Sequence, residues 1–428
     1  MRRAIRGTGL LIQGALAVAG FSFVLPALAL PGRFTFFACA GLGTVALLAA
    51  APAVFYLCGL AIDRVMYALV ACLAGVGVAL LARLGAAGSV YAPLAMRQML
   101  WLALGLGAMA GGIACGRSYL MFQHYRYVLL LPALILMALV VPFGVEVGGA
   151  RAWLQLGPGR VQPSELARPA VLFFLASYLG QHLPLLRASG RETLPLWRRR
   201  WLLWPVIAMW LLALGLLLLQ RDLGMATLYF ASFLVLLYLA SGRAAYLAGG
   251  TVLGVLGCLA AAAVAPHARN RLLAWLYPLR LAGGVGFQGA RSLFSLGAGG
   301  LFGTGPGLGL PHSVPAVQTD LVFAAVVEEL GLAGAFAVLL LLLALVSRGL
   351  SLAGRCRDRV GFLFGAGLSF SLGLQALLIV AGTCGLLPLT GVTLPLVSYG
   401  GSSLFTTLFS LGALSGMGHE DGRRGFAD

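Results

Sequence analysis

The sequence predicts an all-α, polytopic membrane protein, and three observations carry that prediction. Of its 428 residues, 61% are hydrophobic and only 10% are charged. Apolar runs repeatedly exceed the roughly 18 residues that a helix needs to cross a bilayer. The polar interruptions between them are too short to fold as a separate soluble domain.

Twelve spans are expected, at about 9–30, 35–61, 65–83, 98–115, 126–144, 166–183, 201–219, 223–241, 244–265, 320–347, 360–383 and 394–417. An even count puts both termini on one side. All 29 basic residues are Arg, and the larger share, including Arg2, Arg3, Arg6, Arg198, Arg199, Arg200, Arg348, Arg355, Arg357 and Arg359, falls on the side of the termini. The positive-inside rule therefore makes both termini cytoplasmic and puts the two main loops, about 145–165 and 266–319, on the outer face. The net charge of +17 expresses this topology and an attraction to anionic lipid. No loop joins a basic run to stacking aromatics, so nucleic acid is excluded as a partner. Cys39, Cys58, Cys72, Cys115, Cys258, Cys356 and Cys384 form neither a CxxC pair nor a zinc spacing and are expected to act as small packing residues, so no metal site is expected.

In chain order, residues 1–64 hold the first two spans. Arg2, Arg3 and Arg6 ahead of an apolar run ending in Ala27-Leu28-Ala29 resemble a cleavable signal sequence, but the run from Gly9 is long enough to remain as a spanning helix. Residues 65–417 form the membrane core and 418–428 a cytoplasmic tail. The second and third spans are rich in Ala, Gly and Leu, suited to close helix contact.

After the fifth span, Arg151, Trp153, Arg160, Gln162, Ser164, Glu165 and Arg168 alternate with Gly and Pro turns. Pro163, Ser164 and Glu165 suit a helix start, with Glu165 complementing the positive end of the dipole. Arg151 and Arg168 supply more cationic donors than a cap requires, so a helix entrance and a binding loop both fit. The Arg-rich segment from His182 to Arg200 is a solvated loop that fixes orientation. Arg221 and Asp222 sit in a tight turn, where they either pair or line a cavity.

The long loop from Pro266 carries His267, Arg269, Arg271, Trp275, Gln288, Arg291 and Ser292, then the glycine-rich GAGGLFGTGPGLGLP. It lacks the GK[ST] of a phosphate-binding loop, and no strand precedes it as in a dinucleotide fingerprint. It is either a pliable linker or a backbone able to approach a ligand closely.

Asp320 then stands at the mouth of the tenth span, with Glu328 and Glu329 about two turns in, where a buried charge costs several kcal/mol unless it lines a polar cavity. On one continuous helix Glu328 would lie about 80° around from Asp320 and about 12 Å deeper, and Glu329 about opposite it. Structural ion pairing and catalysis both fit the glutamates. Pro388, Pro395, Gly400 and Gly401 near the last span indicate re-entrant or broken-helix backbone, tolerated at membrane depth only where protein or a wet cavity satisfies it.

Four ordered segments together resemble the SEDS family of shape, elongation, division and sporulation proteins, which includes the FtsW, RodA and SpoVE groups. They are GARAWLQLG with QPSEL at 149–166, QRDLG at 220–224, FQGARSLFSLGAGGLFGTGPGLG with QTDLVFAAVVEELG at 287–331, and GLLPLTGVTLPLVSYGGSS at 385–403. The resemblance covers roughly 65–417 and implies a ten-helix SEDS-like core to which two N-terminal transmembrane helices are added. It implies a peptidoglycan polymerase acting on lipid II and a growing glycan strand beside a class B penicillin-binding protein, a transpeptidase, in the bacterial cytoplasmic membrane. Asp320 matches the family's essential acid. Arg151, Trp153, Gln162, Ser164, Glu165, Arg168, Gln288, Arg291, Ser292, Thr319, Glu328, Glu329, Ser398 and Tyr399 stand in the motifs as expected substrate-binding positions. Arg168 stands where many members carry Lys, Arg221 where Pro is usual, Arg291 where Gln is usual and Ile379 where Asn is usual. Leu279 and Arg280 stand where an acid often follows.

The chemistry this implies is attack of a sugar hydroxyl on the anomeric carbon of a lipid-pyrophosphate donor. Asp320 serves as general base, while Arg151, Arg168 and Arg291 hold the developing negative charge. That reaction is metal-independent or weakly assisted by a divalent cation, and it requires no other cofactor. Intramembrane acids and broken helices also suit a lipid-linked saccharide transporter, and a non-catalytic scaffold for wall assembly is a third reading.

Overall fold

The computed structural model describes residues 2–87, 91–157, 159–187 and 196–424. Two compact units emerge. The first comprises Met1–Ala114, Asn270–Arg348 and Leu372–Gly416, and the second Cys115–Arg269, Gly349–Ser371 and Met417–Asp428. The helices are α1 (Arg2–Ala29), α2 (Phe34–Leu57), α3 (Arg64–Ala87), α4 (Leu94–Arg117), α5 (Tyr119–Phe122), α6 (Arg126–Phe143), α7 (Pro163–Arg187), α8 (Leu196–Leu219), α9 (Leu223–Ser241), α10 (Ala244–Val264), α11 (Pro266–Leu276), α12 (Phe287–Gly299), α13 (Val322–Ala353), α14 (Arg359–Thr383) and α15 (Gly401–Arg424).

Every expected span corresponds to a helix, and among the described residues nine helices are long and apolar enough to cross a membrane. The expected spans at 166–183 and 394–417 are helical but less apolar, and that at 201–219 is represented by the shorter apolar stretch Trp204–Leu219. α7 buries Glu165 and Arg168, and α15 buries Ser402, Ser403, Thr406, Thr407, Ser410 and Ser415. The last helix begins only at Gly401 and continues to Arg424. Part of the Arg-rich segment, 188–195, lies outside the described residues.

In the first unit α1 lies along α3 and beside α2. Small residues permit this: a methyl on Gly75 of α3 would stand 2.4 Å from the Cβ of Ala19 on α1. At the N-terminus of α3, Asp63 caps the helix by accepting from the Met66 N–H (2.8 Å), while its own N–H donates to Ser415 Oγ (2.6 Å). Arg348 of α13 grips both Asp63 oxygens at 3.0 and 2.5 Å. One residue thus ties three elements together.

α13 is not the continuous helix the sequence suggests. It breaks at Gly331 (φ 67°, ψ −171°), a left-handed conformation that glycine adopts readily. The broken turn is completed by the glycine-rich loop. Thr304 and Gly305 N–H donate to the carbonyls of Glu328 and Glu329 (2.9 and 3.2 Å), and Leu332 and Ala333 N–H donate to those of Gly300 and Leu301 (3.0 and 3.1 Å). Asp320 precedes the helix by two residues, so the angular relation expected between it and the glutamates does not hold.

In the second unit α7 packs against α6 and α9, and α10 packs along α9. Trp210 of α8 stacks on Phe233 of α9, ring centres 4.6 Å apart. One small sheet is set within this all-α architecture. The loop after α6 holds a three-stranded antiparallel sheet, β1 (Val145–Val147), β2 (Ala150–Leu156) and β3 (Gly159–Val161), in the order β1-β2-β3. Val145 faces Trp153, and Leu154 faces Val161. Gly148 and Gly149, both at positive φ (61° and 82°), make the tight hairpin turn.

Candidate active site

In the first unit the chain just before α13 forms a corner around Ala316, whose backbone is left-handed (φ 52°). Its carbonyl accepts from the N–H groups of Thr319, Asp320 and Leu321 at 3.0, 3.1 and 3.3 Å. Val314 and Val317 anchor the corner from below, both buried, while Asp320 remains partly exposed.

The irregular segment before α15 holds this corner. Ser398 Oγ donates to the Thr319 carbonyl (2.6 Å) and accepts from the Leu394 N–H (2.8 Å). Tyr399 N–H donates to the Gln318 carbonyl (2.7 Å), and Gln98 of α4 donates to the Ser398 carbonyl (3.1 Å). Gln375 of α14 donates to the Thr393 carbonyl (2.8 Å). The two peptide units ahead of Asp320 are therefore fixed from outside their own loop. The hydroxyls of Thr319 and Ser398, expected at substrate, are engaged with backbone, with Thr319 Oγ1 donating to the Ala316 carbonyl at 3.2 Å.

A residue that had not been singled out as a site residue joins Asp320. Arg271 of α11 donates through Nη1 to the carbonyls of Leu389 and Thr390 (3.3 and 3.1 Å). A methyl built on Gly391 would lie 3.8 Å from both Arg271 Nη2 and Asp320 Oδ2. One turn further along α11, Trp275 Nε1 donates to the Gly385 carbonyl (2.9 Å). The i, i+4 spacing of Arg271 and Trp275 was the available signal, since residues so spaced share a helix face.

On α12 the expected residues divide. Gln288 and Arg291 are exposed, with the Arg291 guanidinium 5.4 Å from the Phe287 ring centre. Ser292 is buried and donates to the Thr383 carbonyl at the end of α14 (2.9 Å).

Glu328 and Glu329 are buried as expected, and both serve the glycine-rich loop. Glu328 Oε1 accepts from the Leu310 N–H (2.6 Å), and Glu329 Oε2 accepts from the Gly307 N–H (3.3 Å). Glu329 Oε1 also stands 3.0 Å from Arg83 Nε. Glu329 thus stands beside a cation, while Glu328 meets the backbone of Leu310. The close approach of the glycine-rich backbone is to the chain's own broken helix.

The remaining expected residues lie in the second unit. Gln162 donates to Asp222 Oδ2 (2.7 Å), whose Oδ1 caps α9 at the Met225 N–H (3.0 Å). Arg221 occupies the exposed turn beside it at φ 59°. Glu165 and Arg168, buried and one turn apart on α7, interact electrostatically with each other and with Tyr229, whose hydroxyl donates to the Ser164 carbonyl (2.6 Å). Arg151 donates to the carbonyls of Gly144 and Pro142 at the end of α6 (2.8 and 3.1 Å), and Trp153 is half-buried on β2. Among the described residues no three His, Cys, Asp or Glu side chains cluster as a metal site.

A family profile described as a cell cycle protein, covering FtsW, RodA and SpoVE, matches residues 41–422. The chain is 36% identical over 368 residues to the peptidoglycan glycosyltransferase RodA of Mycobacterium tuberculosis (strain H37Rv), spanning 83% of this chain and 78% of that relative. Among solved structures it resembles a chain of a peptidoglycan synthase complex described as coordinating polymerization and crosslinking (TM-score 0.69, 31% identity, 85% of this chain and 99% of that one). It also resembles the rod shape determining protein RodA of Thermus thermophilus (TM-score 0.61, 30% identity, 84% and 98%).

Proposed function

We infer the activity from the premise that this chain belongs to the FtsW, RodA and SpoVE family: it is a peptidoglycan glycosyltransferase that polymerises lipid II. The observation that carries the site assignment is the convergence of a carboxylate and a guanidinium, Asp320 and Arg271, on the backbone at Gly391.

In the proposed step a sugar hydroxyl attacks the anomeric carbon of a lipid-pyrophosphate donor. The new glycosidic C–O bond forms as the bond from that carbon to the phosphate oxygen breaks, and the electron pair leaves on the pyrophosphate. Asp320 takes the hydroxyl proton, a role contributing about 10² to 10⁴ in rate. Arg271 stabilises the departing charge, and its position is fixed in advance by two backbone carbonyls, which spares reorganisation during reaction. Exposed Arg291 and Gln288 on α12 supply further donors for the same anionic group. Thr319, Ser398, Tyr399 and Ser292 support the site by holding backbone in place. We assign a supporting role also to Arg151, Trp153, Gln162, Ser164, Glu165 and Arg168, which build the sheet and the entrance of α7.

The Arg distribution supports cytoplasmic termini and an outward-facing Asp320. The similar chain from a complex that couples polymerization to crosslinking supports a class B penicillin-binding protein as partner. A divalent cation is compatible with Asp320 as a ligand.

The test is polymerisation of lipid II by purified Asp320→Asn and Arg271→Ala proteins, with and without the transpeptidase partner. Loss of about a hundredfold or more is expected for Asp320→Asn, with thermal stability retained. Strand synthesis at the wild-type rate by the Asn variant would remove Asp320 from the role of base.

A further inference from the structure

The buried Arg83 of α3 has no part in the chemistry just described, yet it is the centre of the clasp that closes the loop bearing Asp320. Its Nη2 donates to the carbonyls of Gly307 (2.8 Å) and Gly309 (3.0 Å), while its Nε faces Glu329 Oε1 at 3.0 Å. Glu329 in turn accepts from the Gly307 N–H, and the neighbouring Glu328 accepts from the Leu310 N–H. One guanidinium thereby joins both ends of a loop that leaves the clasp at Gly309 and returns at Glu328. Asp320 lies within that loop, and α3 also packs against its short helical turn Pro311–Ser313.

The clasp is covered by α1. A methyl on Gly307 would stand 3.0 Å from Ala29 Cβ, 3.7 Å from Arg83 Nε and 3.8 Å from Leu30 Cγ. Gly307 itself is buried and left-handed (φ 89°). The family match begins at residue 41, so α1 lies ahead of it. A helix outside the matched region thus closes over the group that ties the catalytic loop.

The geometry points to Arg83 as a positioning residue for Asp320, acting through the Gly307, Gly309 and Glu329 clasp, with the end of α1 as its cover. This rests on the assignment of Asp320 to the reaction. The guanidinium is suited to the task because its planar fork presents several donors in fixed directions, whereas a lysine ammonium carries a comparable charge without that fork. Replacing Arg83 leaves the Glu329 carboxylate buried without its cation and the two loop carbonyls without their donor, so the loop loosens at its base rather than at its tip.

Two readouts on the full chain in detergent separate this proposal from the assignment on which it rests. Hydrogen exchange is followed in peptides covering 303–321 and, as a control within the second unit, 145–157, for wild type, Arg83→Met and Arg83→Lys. Lipid II polymerisation by the same proteins and by Asp320→Asn gives kcat and KM. Arg83→Met is expected to speed exchange in 303–321 about tenfold without altering the control and to lower kcat at least tenfold with KM within twofold. Arg83→Lys, which retains charge and supports folding, is expected to fall between. Unchanged exchange in 303–321 in both variants, equal acceleration in both peptides, or an unchanged kcat overturns the proposal. Wild-type polymerisation by Asp320→Asn instead removes the catalytic assignment, while the exchange measurement still decides whether Arg83 holds the loop.

Discussion

Arg271 Nη2 and Asp320 Oδ2 each stand 3.8 Å from the point that a methyl group on Gly391 would occupy. Both groups therefore border a backbone position with no side chain. Gly391 is also left-handed, with φ 75°.

Gly391→Ala is expected to impair the enzyme through its backbone more than through contact. The added methyl meets both groups at ordinary van der Waals distance, but an L-residue in a left-handed conformation costs about 1–2 kcal/mol. The segment from Leu389 then relaxes and carries the Arg271 acceptors with it. Polymerisation should fall about tenfold while the protein remains folded, as judged by size-exclusion profile and thermal melting. Wild-type turnover with an unchanged melting temperature would contradict the geometric role of this glycine.

Ser398→Ala removes a donor to Thr319 and an acceptor from Leu394 in one change. Leaving those buried groups without a partner costs about 1–3 kcal/mol. Stability should fall by that order, and turnover should fall further than the loss of folded protein explains, because the Thr319 peptide adjoins Asp320. Ser398→Thr retains the hydroxyl and should recover much of the turnover. Failure of Thr to do better than Ala would show that packing volume, and not the hydrogen bond, is what matters at this position.

Asp63 and Arg348 provide a control remote from the chemistry in sequence. Their side chains are only 14% and 23% exposed, and the contact is two-pronged, so a double-mutant cycle of Asp63→Asn and Arg348→Met should report coupling of about 1–2 kcal/mol after allowance for partial solvent screening. Turnover per folded molecule should be unaffected. Additive melting shifts would mean that the pair contributes nothing beyond its separate residues.

Much of the architecture is legible in the sequence because apolar runs of spanning length have few alternatives in a bilayer. The irregular backbone before the last helix is also legible, since Pro388, Pro395, Gly400 and Gly401 mark it. The break in α13 is not, because EELGLAG continues the helical pattern and a single glycine inside a helix costs only about 1 kcal/mol. What decides the break is the preceding glycine-rich loop, whose N–H groups answer the interrupted carbonyls. Arg271 escaped for a related reason: among several arginines in one loop, nothing local distinguishes the one whose acceptors, Leu389 and Thr390, lie far along the chain. The sheet at 145–161 was hidden by strands as short as three residues, too few to establish a period.

The break at Gly331 also bears on how a helix can end inside a bilayer. The piece of α13 before it, residues 322–330, is about 13 Å long by its helical rise, less than half of a hydrocarbon layer of roughly 30 Å. That piece is too short to span the layer by itself, and the carbonyls of Glu328 and Glu329 at its end are answered by Thr304 and Gly305. The glycine-rich loop thus supplies the donors that the next helical turn would have given, which lets a helix end short of the far side of the layer without leaving bare carbonyls.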